Sequence, residues 1–130
     1  MSLRLPRPLA ATALAALMFG AIAPAPAQTD KPARDVRYVI VHTPGPAWIV
    51  GKSFFEQAGL QAHVEHYRQL LAQGKLVLGG PFLDGAAGGM MVPAPGLSQK
   101  ELDDFAQADP AVRSGLLKAE VRPWLIGMKG

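Results

Sequence analysis

The chain of 130 residues contains no cysteine. That absence excludes a disulfide framework, a thiolate nucleophile, a cysteine-ligated metal and a lipid-anchored lipoprotein, so the fold must stand on its apolar core alone. Long apolar runs are also missing, with one exception. From Leu9 to Ala23 the chain is apolar and uncharged, but this run of about 15 residues is shorter than the roughly 20 a membrane-spanning helix needs. No clustered basic face is present either, and the net charge of +3 is largely the work of the N-terminus, because setting aside Arg4 and Arg7 leaves 11 basic against 10 acidic side chains. Nucleic acid is therefore not expected as a partner.

The N-terminal segment has the organisation of a secretory signal. Arg4 and Arg7 form a positive n-region, Leu9 to Ala23 an apolar h-region, Pro24 a break, and Ala25-Pro26-Ala27 a small-residue cleavage site. The expectation is a cleaved signal peptide over residues 1–27, a periplasmic or secreted product, and no membrane association once it is removed. A polar stretch containing Pro32 follows over residues 28–35 and is expected to be a flexible lead-in to one domain over 36–130. A domain of roughly 100 residues buries only about two-thirds of its unfolded surface, so association with a second copy would help stabilise it.

Val36 to Val41 is rich in Val, Ile and Tyr and reads as the first strand, ending at Thr43-Pro44-Gly45-Pro46, with His42 at a pocket mouth or simply at the surface. The following loop, Ala47-Trp48-Ile49-Val50-Gly51, is more apolar than a solvated connection needs and is expected to fold over something. The next element is helical. At about 100° per residue with Leu60 as origin, Leu71, Val64, Tyr67 and Leu70 fall near 20°, 40°, 340° and 280° and form one stripe. His63, near 300°, lies inside that stripe, whereas His66, near 240°, lies on its flank. Gly74 is the expected left-handed cap, followed by a second strand over Lys75 to Gly79.

Gly79-Gly80-Pro81 ends that strand, and the glycines from there to Gly89 match neither the dinucleotide nor the P-loop spacing, so they serve backbone turning ahead of a third strand at Met90 to Val92. Ser98 and Glu101 form a capping box, with Leu97 and Leu102 as a hydrophobic staple, and announce a second helix running to about Ala108. Asp109-Pro110 can cap a further short turn that closes at Gly115, and the last strand is expected over Ala119 to Ile126. Pro123 within it belongs at a sheet edge or bulge. The order strand, helix, strand, strand, helix, strand is the α+β ferredoxin-like βαββαβ arrangement, a four-stranded antiparallel sheet with both helices on one face. The uncovered face is expected to pair with a second copy in a homodimer that encloses a cavity.

Several of these segments together resemble the YCII-related (YciI-like) family: His63-Val64-Glu65-His66-Tyr67-Arg68-Gln69-Leu70, then Gly74-Lys75-Leu76, Gly79-Gly80-Pro81-Phe82, Asp109-Pro110 with Gly115, and Glu120-Val121-Arg122-Pro123-Trp124. His63 followed eleven residues later by Gly74, with the Gly-Pro and Asp-Pro pairs after it in order, carries the specificity. The resemblance implies a dimeric α+β barrel in which a His and an Asp face a shared pocket as an acid-base pair, here His63 and Asp109. One branch of that family is linked to dehydrochlorination of a chlorinated hydroxyquinol; relatives of the fold include lactone isomerases, quinone-forming monooxygenases and haem proteins. The signal peptide and the Pro44 to Trp48 loop depart from its common pattern.

An imidazole takes up and returns a proton near neutral pH, and a carboxylate on one ring nitrogen fixes its tautomer. His63 is thus the candidate base and Asp109 its orienter, although an inward histidine is also a common core residue and Asp109 is equally expected as a helix cap. Trp48, His66, Tyr67, Gly80 and Pro81 are candidate ligand contacts. A metal shared by His63, His66 and Asp109 is disfavoured by the 60° or so between the two histidines, a single histidine is thin support for haem, and no cofactor is expected. Two functions remain: an exported lyase or isomerase acting on a small molecule, and a non-catalytic periplasmic module that binds one.

Overall fold

The computed structural model describes residues 20–27 and 33–130. Most of the expected signal peptide and part of the lead-in lie outside the described residues; residues 20–27 carry neither helix nor strand. Among the described residues no helix is long and apolar enough to cross a membrane.

Four strands, β1 (Val36–Pro44), β2 (Leu76–Pro81), β3 (Gly89–Pro93) and β4 (Leu117–Leu125), form one sheet in the order β2-β3-β1-β4. All neighbours are antiparallel. The helices are α1 (Leu60–Ala72), α2 (Gln99–Gln107) and α3 (Pro110–Arg113). This is the expected βαββαβ fold. In β1 the alternation of a strand places Tyr38, Ile40 and His42 on one face. Ile40 stands opposite Met91 of β3 and Val121 of β4, and these share a core with Tyr67 and Leu70 of α1 and Leu102 and Ala106 of α2. Both long helices therefore cover the same face.

The element ends differ from expectation where pairing extends them. β2 runs on through Gly79, Gly80 and Pro81 because these residues find partners in Met91, Met90 and Gly89. β4 starts at Leu117, opposite Pro44, because the Gly45 amide bonds the Leu116 carbonyl and holds the chains together beyond the strand. A Cβ at Gly45 would overlap the Gly115 carbonyl oxygen, so this close approach requires glycine. β4 is an edge strand, as Pro123 demanded.

Helix ends follow local chemistry. Gly74, at φ 68°, is the left-handed residue after α1, and the Gly74 and Lys75 amides donate to Leu71 and Leu70 carbonyls. At α2 only half of the capping box forms. Ser98 Oγ accepts from the Glu101 amide at 3.1 Å, while the Glu101 carboxylate goes to Lys75 Nζ at 3.3 Å instead of returning to Ser98. A short 3-10 helix at Phe54–Glu56, unforeseen in the loop after β1, is held by the buried Gln57. The Gln57 carboxamide accepts from the Ile49 amide at 3.1 Å and donates to the Ile49 carbonyl at 2.8 Å.

Candidate active site

Four side chains from three elements converge beneath α1. His63 and Tyr67 stand one turn apart on its inward side, His42 reaches up from the helix-facing side of β1, and Asp109 sits at the start of α3. All four are buried, at 3, 2, 1 and 0% exposure respectively. An isolated carboxylate at that depth costs several kcal/mol, so its partners decide whether it is tolerated.

Asp109 divides its two oxygens between the two roles that its sequence context left open. Oδ1 caps α3 by accepting from the Ala111 amide at 2.9 Å, and Oδ2 accepts from His63 Nδ1 at 2.6 Å. Burial alone would raise the carboxyl's pKa; the hydrogen bonds from His63 and Ala111, with the fields of His63 and His42, outweigh it and hold Asp109 below the usual carboxylate value. With Nδ1 donating to the carboxylate, His63 presents the lone pair of Nε2, which has no hydrogen-bond partner among the described residues.

His42 completes the cluster. Its Nε2 lies 3.0 Å from the Tyr67 hydroxyl and 4.0 Å from Asp109 Oδ2, while its Nδ1 is buried without a partner. Burial, reinforced by the nearby His63 and His66 and opposed by Asp109, pulls the His42 pKa down to about 4. Burial and then the Asp109 charge push the Tyr67 hydroxyl upward.

His42, His63 and Tyr67 open onto a cavity of about 450 Å³, within the size range of small-molecule sites. Its walls are largely apolar: Phe54 from the loop after β1, Val64 and Leu71 from α1, and Leu76 and Leu78 from β2. Val64 and Leu71 explain why the apolar stripe of α1 is wider than the core requires. Its edge faces the cavity, and Leu71 remains 55% exposed. Arg68, at the rim, is the lining's lone Lys or Arg side chain and pairs loosely with Glu65 at 3.5 Å.

Of the candidate residues, His63, Asp109 and Tyr67 are brought together, and Gly80 and Pro81 line the cavity with Tyr67. His66 and Trp48 are not part of the lining. The flank position of His66 carries its ring onto Phe105, stacked at 4.0 Å, with Nε2 on the Phe105 carbonyl at 2.7 Å. Trp48 packs instead against Ala111, Leu116 and Leu117, because the Ala47 amide ties its loop to the Gly115 carbonyl. Phe54, six residues on, takes the place at the cavity that Trp48 was expected to occupy. His42 was left between pocket mouth and surface, yet a signal for it existed: it shares the alternation of Tyr38 and Ile40, which puts it on the covered face.

His42, rather than His66, joins His63 and Asp109 in a set of three donor atoms within 4.8 Å of one another, the donor types of a histidine-carboxylate metal centre. Two ligands about 2.1 Å from one ion lie roughly 3 Å or more apart. The 2.6 Å between His63 and Asp109 is that of a hydrogen bond and would have to open to admit an ion.

Residues 36–125 match the YCII-related domain. No curated protein matches the chain. Among solved structures, 5-chloro-2-hydroxyhydroquinone dehydrochlorinase (TftG) from Burkholderia phenoliruptrix AC1100, in complex with 2,5-dihydroxybenzoquinone, aligns over 68% of this chain and 92% of its own, with a TM-score of 0.51 and 23% identity. At that identity the likeness is one of fold.

Proposed function

The chain belongs to the YCII-related family, and from that premise we propose that it is an exported enzyme of lyase or isomerase type in which His63 moves a proton of a small carbonyl or phenolic substrate. The observation that carries this is the anchored imidazole: Nδ1 bound to a buried carboxylate and Nε2 unpartnered on a side chain that lines an apolar cavity. That is the arrangement of a general base whose conjugate acid is stabilised in place.

His63 Nε2 takes a proton from carbon next to a carbonyl, or from a phenolic hydroxyl. The released electron pair moves into the conjugated system. In an isomerisation the same imidazolium returns the proton at another atom; in an elimination the pair expels a leaving group as its anion, and the proton and that anion together are the second product. Asp109 keeps the ring oriented and offsets the imidazolium charge. Neither form takes electrons from, or gives them to, an outside oxidant or reductant, so the reaction needs no redox cofactor. The named chemistry of the dehydrochlorinase that shares this fold supports the lyase form. The half-buried Val39, Val41 and Met90 on the sheet face opposite the helices support a homodimer, and the n-region, h-region and small-residue site of residues 1–27 support export to the periplasm or beyond.

The test is turnover of chlorinated hydroxyquinols, phenols and lactones by the mature chain, followed by product mass and absorbance. His63→Ala should lower the rate by about 10²- to 10⁴-fold with the fold intact. An unaltered rate would remove His63 from the mechanism. Saturable binding without product would instead assign the cavity to a ligand-binding module.

A further inference from the structure

The mechanism above uses His63 and Asp109 and leaves the second buried histidine unexplained. His42 is 1% exposed, contacts Tyr67 through one nitrogen and leaves the other without any partner. One of two neutral tautomers must be present, and they differ in what they do to Tyr67. With the proton on Nδ1, a buried N–H donor is orphaned and the Tyr67 hydroxyl spends its own proton on His42. With the proton on Nε2, only a lone pair is orphaned and His42 donates to Tyr67. Orphaned buried N–H donors are the rarer and costlier defect. The carboxylate adds to the preference, since Asp109 Oδ2 is 4.0 Å from His42 Nε2 and attracts the proton to that nitrogen.

We propose that His42 is held as the Nε2–H tautomer, donating to the Tyr67 hydroxyl, and that the Tyr67 O–H, turned away from His42, donates to a substrate oxygen in the cavity. Among the described residues no other acceptor lies within hydrogen-bonding distance of that hydroxyl, and Tyr67 lines the cavity beside His63. The site then has two complementary arms one helical turn apart. His63 takes a proton, and the negative charge that this leaves on the substrate oxygen is met by Tyr67, a donor positioned by His42. Burial supports both roles: it keeps His42 neutral at pH 7, with its pKa near 4, and raises the Tyr67 pKa so that the hydroxyl keeps its proton. The substrate class narrows accordingly to planar molecules with a carbonyl or ring oxygen next to the proton that is removed. The substrate half of this proposal rests on the function given above; the tautomer does not.

The experiment has two arms. Long-range proton–nitrogen NMR of the histidine-labelled mature chain, without ligand at pH 7, should place the His42 proton on Nε2; a proton on Nδ1, or a charged His42, overturns the proposal whatever the cavity binds. The second arm measures binding of 2,5-dihydroxybenzoquinone to wild type, Tyr67→Phe and His42→Gln. Tyr67→Phe keeps the ring, should melt cooperatively, and should bind the probe about 10-fold more weakly, as loss of one hydrogen bond implies. His42→Gln, which removes the donor that positions Tyr67 but leaves the Tyr67 hydroxyl in place, should lose less than Tyr67→Phe and add little in the double variant. Equal affinity in wild type and Tyr67→Phe overturns the donor role. Absence of binding in wild type overturns the functional reading, and the donor role with it, and leaves the tautomer to be decided by the first arm.

Discussion

The two faces of the sheet are built from alternate residues of the same strands and meet opposite problems. On the helix-covered side, His42, His63, Tyr67 and Asp109 are taken out of water, and the problem is to satisfy polar groups. On the other side, Val39, Val41 and Met90 are only half-buried and Glu120 and Arg122 are exposed; there the problem is to cover apolar surface. The difference teaches where each kind of error would be felt. A change on the covered face strands a charge or a donor, whereas one on the open face leaves the fold largely intact and would be felt in the proposed dimer.

The largest effect is expected at Asp109. Asp109→Ala removes both the α3 cap and the partner of His63, and should cost about 4 kcal/mol in denaturant unfolding. Asp109→Asn, which still caps, should cost about half of that. Equal losses would mean that the cap is all that matters.

Next comes acidity. Because the His42 pKa is lowered from 6.5 to about 4, the unfolded chain binds the proton first as pH falls below 6.5. Stability attached to His42 is therefore complete above pH 6.5, declines between 6.5 and 4, and amounts to about 3 kcal/mol over that window. Asp109, whose pKa is lowered, adds a further loss only as the pH drops below 3.8. His42→Gln, uncharged at every pH, should flatten the slope between 6.5 and 4; an unchanged slope would remove His42 as the source of the acid sensitivity.

A smaller effect separates the two packing centres of the covered side. Trp48→Ala should cost about 2 kcal/mol by emptying the cluster of Ala111, Leu116 and Leu117, with the affinity for 2,5-dihydroxybenzoquinone unchanged. Weaker binding would show that Trp48 supports the cavity through Phe54, whose ring lies 5.9 Å from its own. The smallest cost to the fold is expected on the open face. Val41→Glu sets a second carboxylate opposite Glu120 and should destabilise the monomer by under about 1 kcal/mol. It should nonetheless convert a dimer to monomers at micromolar concentration in light scattering. A variant that stays dimeric would move the interface elsewhere, and a monomeric wild type would remove it.

Much of the fold was legible in order and type because each element carries its own local signal. The stripe on α1, Gly74 after it, Ser98 before α2, Asp109-Pro110 before α3 and Pro123 on an edge strand all act within a few residues of themselves. What proved less legible depended on distant partners. Glu101 looked like the second half of a capping box until Lys75, 26 residues away, took its carboxylate. Trp48 looked like a ligand contact because an apolar loop says that something is covered and not what; Gly45 and Ala47, tied to Gly115 and Leu116, decided that.

The same division runs through the site. Sequence by itself determined the βαββαβ order, the inward phase of His63 and the two possible roles of Asp109, since periodicity and capping are properties of neighbours along the chain. Only tertiary structure decided that Asp109 performs both roles, one with each oxygen, that His66 turns to Phe105, and that His42 stands beside Tyr67. Those outcomes depend on which side chains meet across 25, 39 and 46 residues of chain, and burial and hydrogen bonding between such partners are set by packing, which no local pattern records.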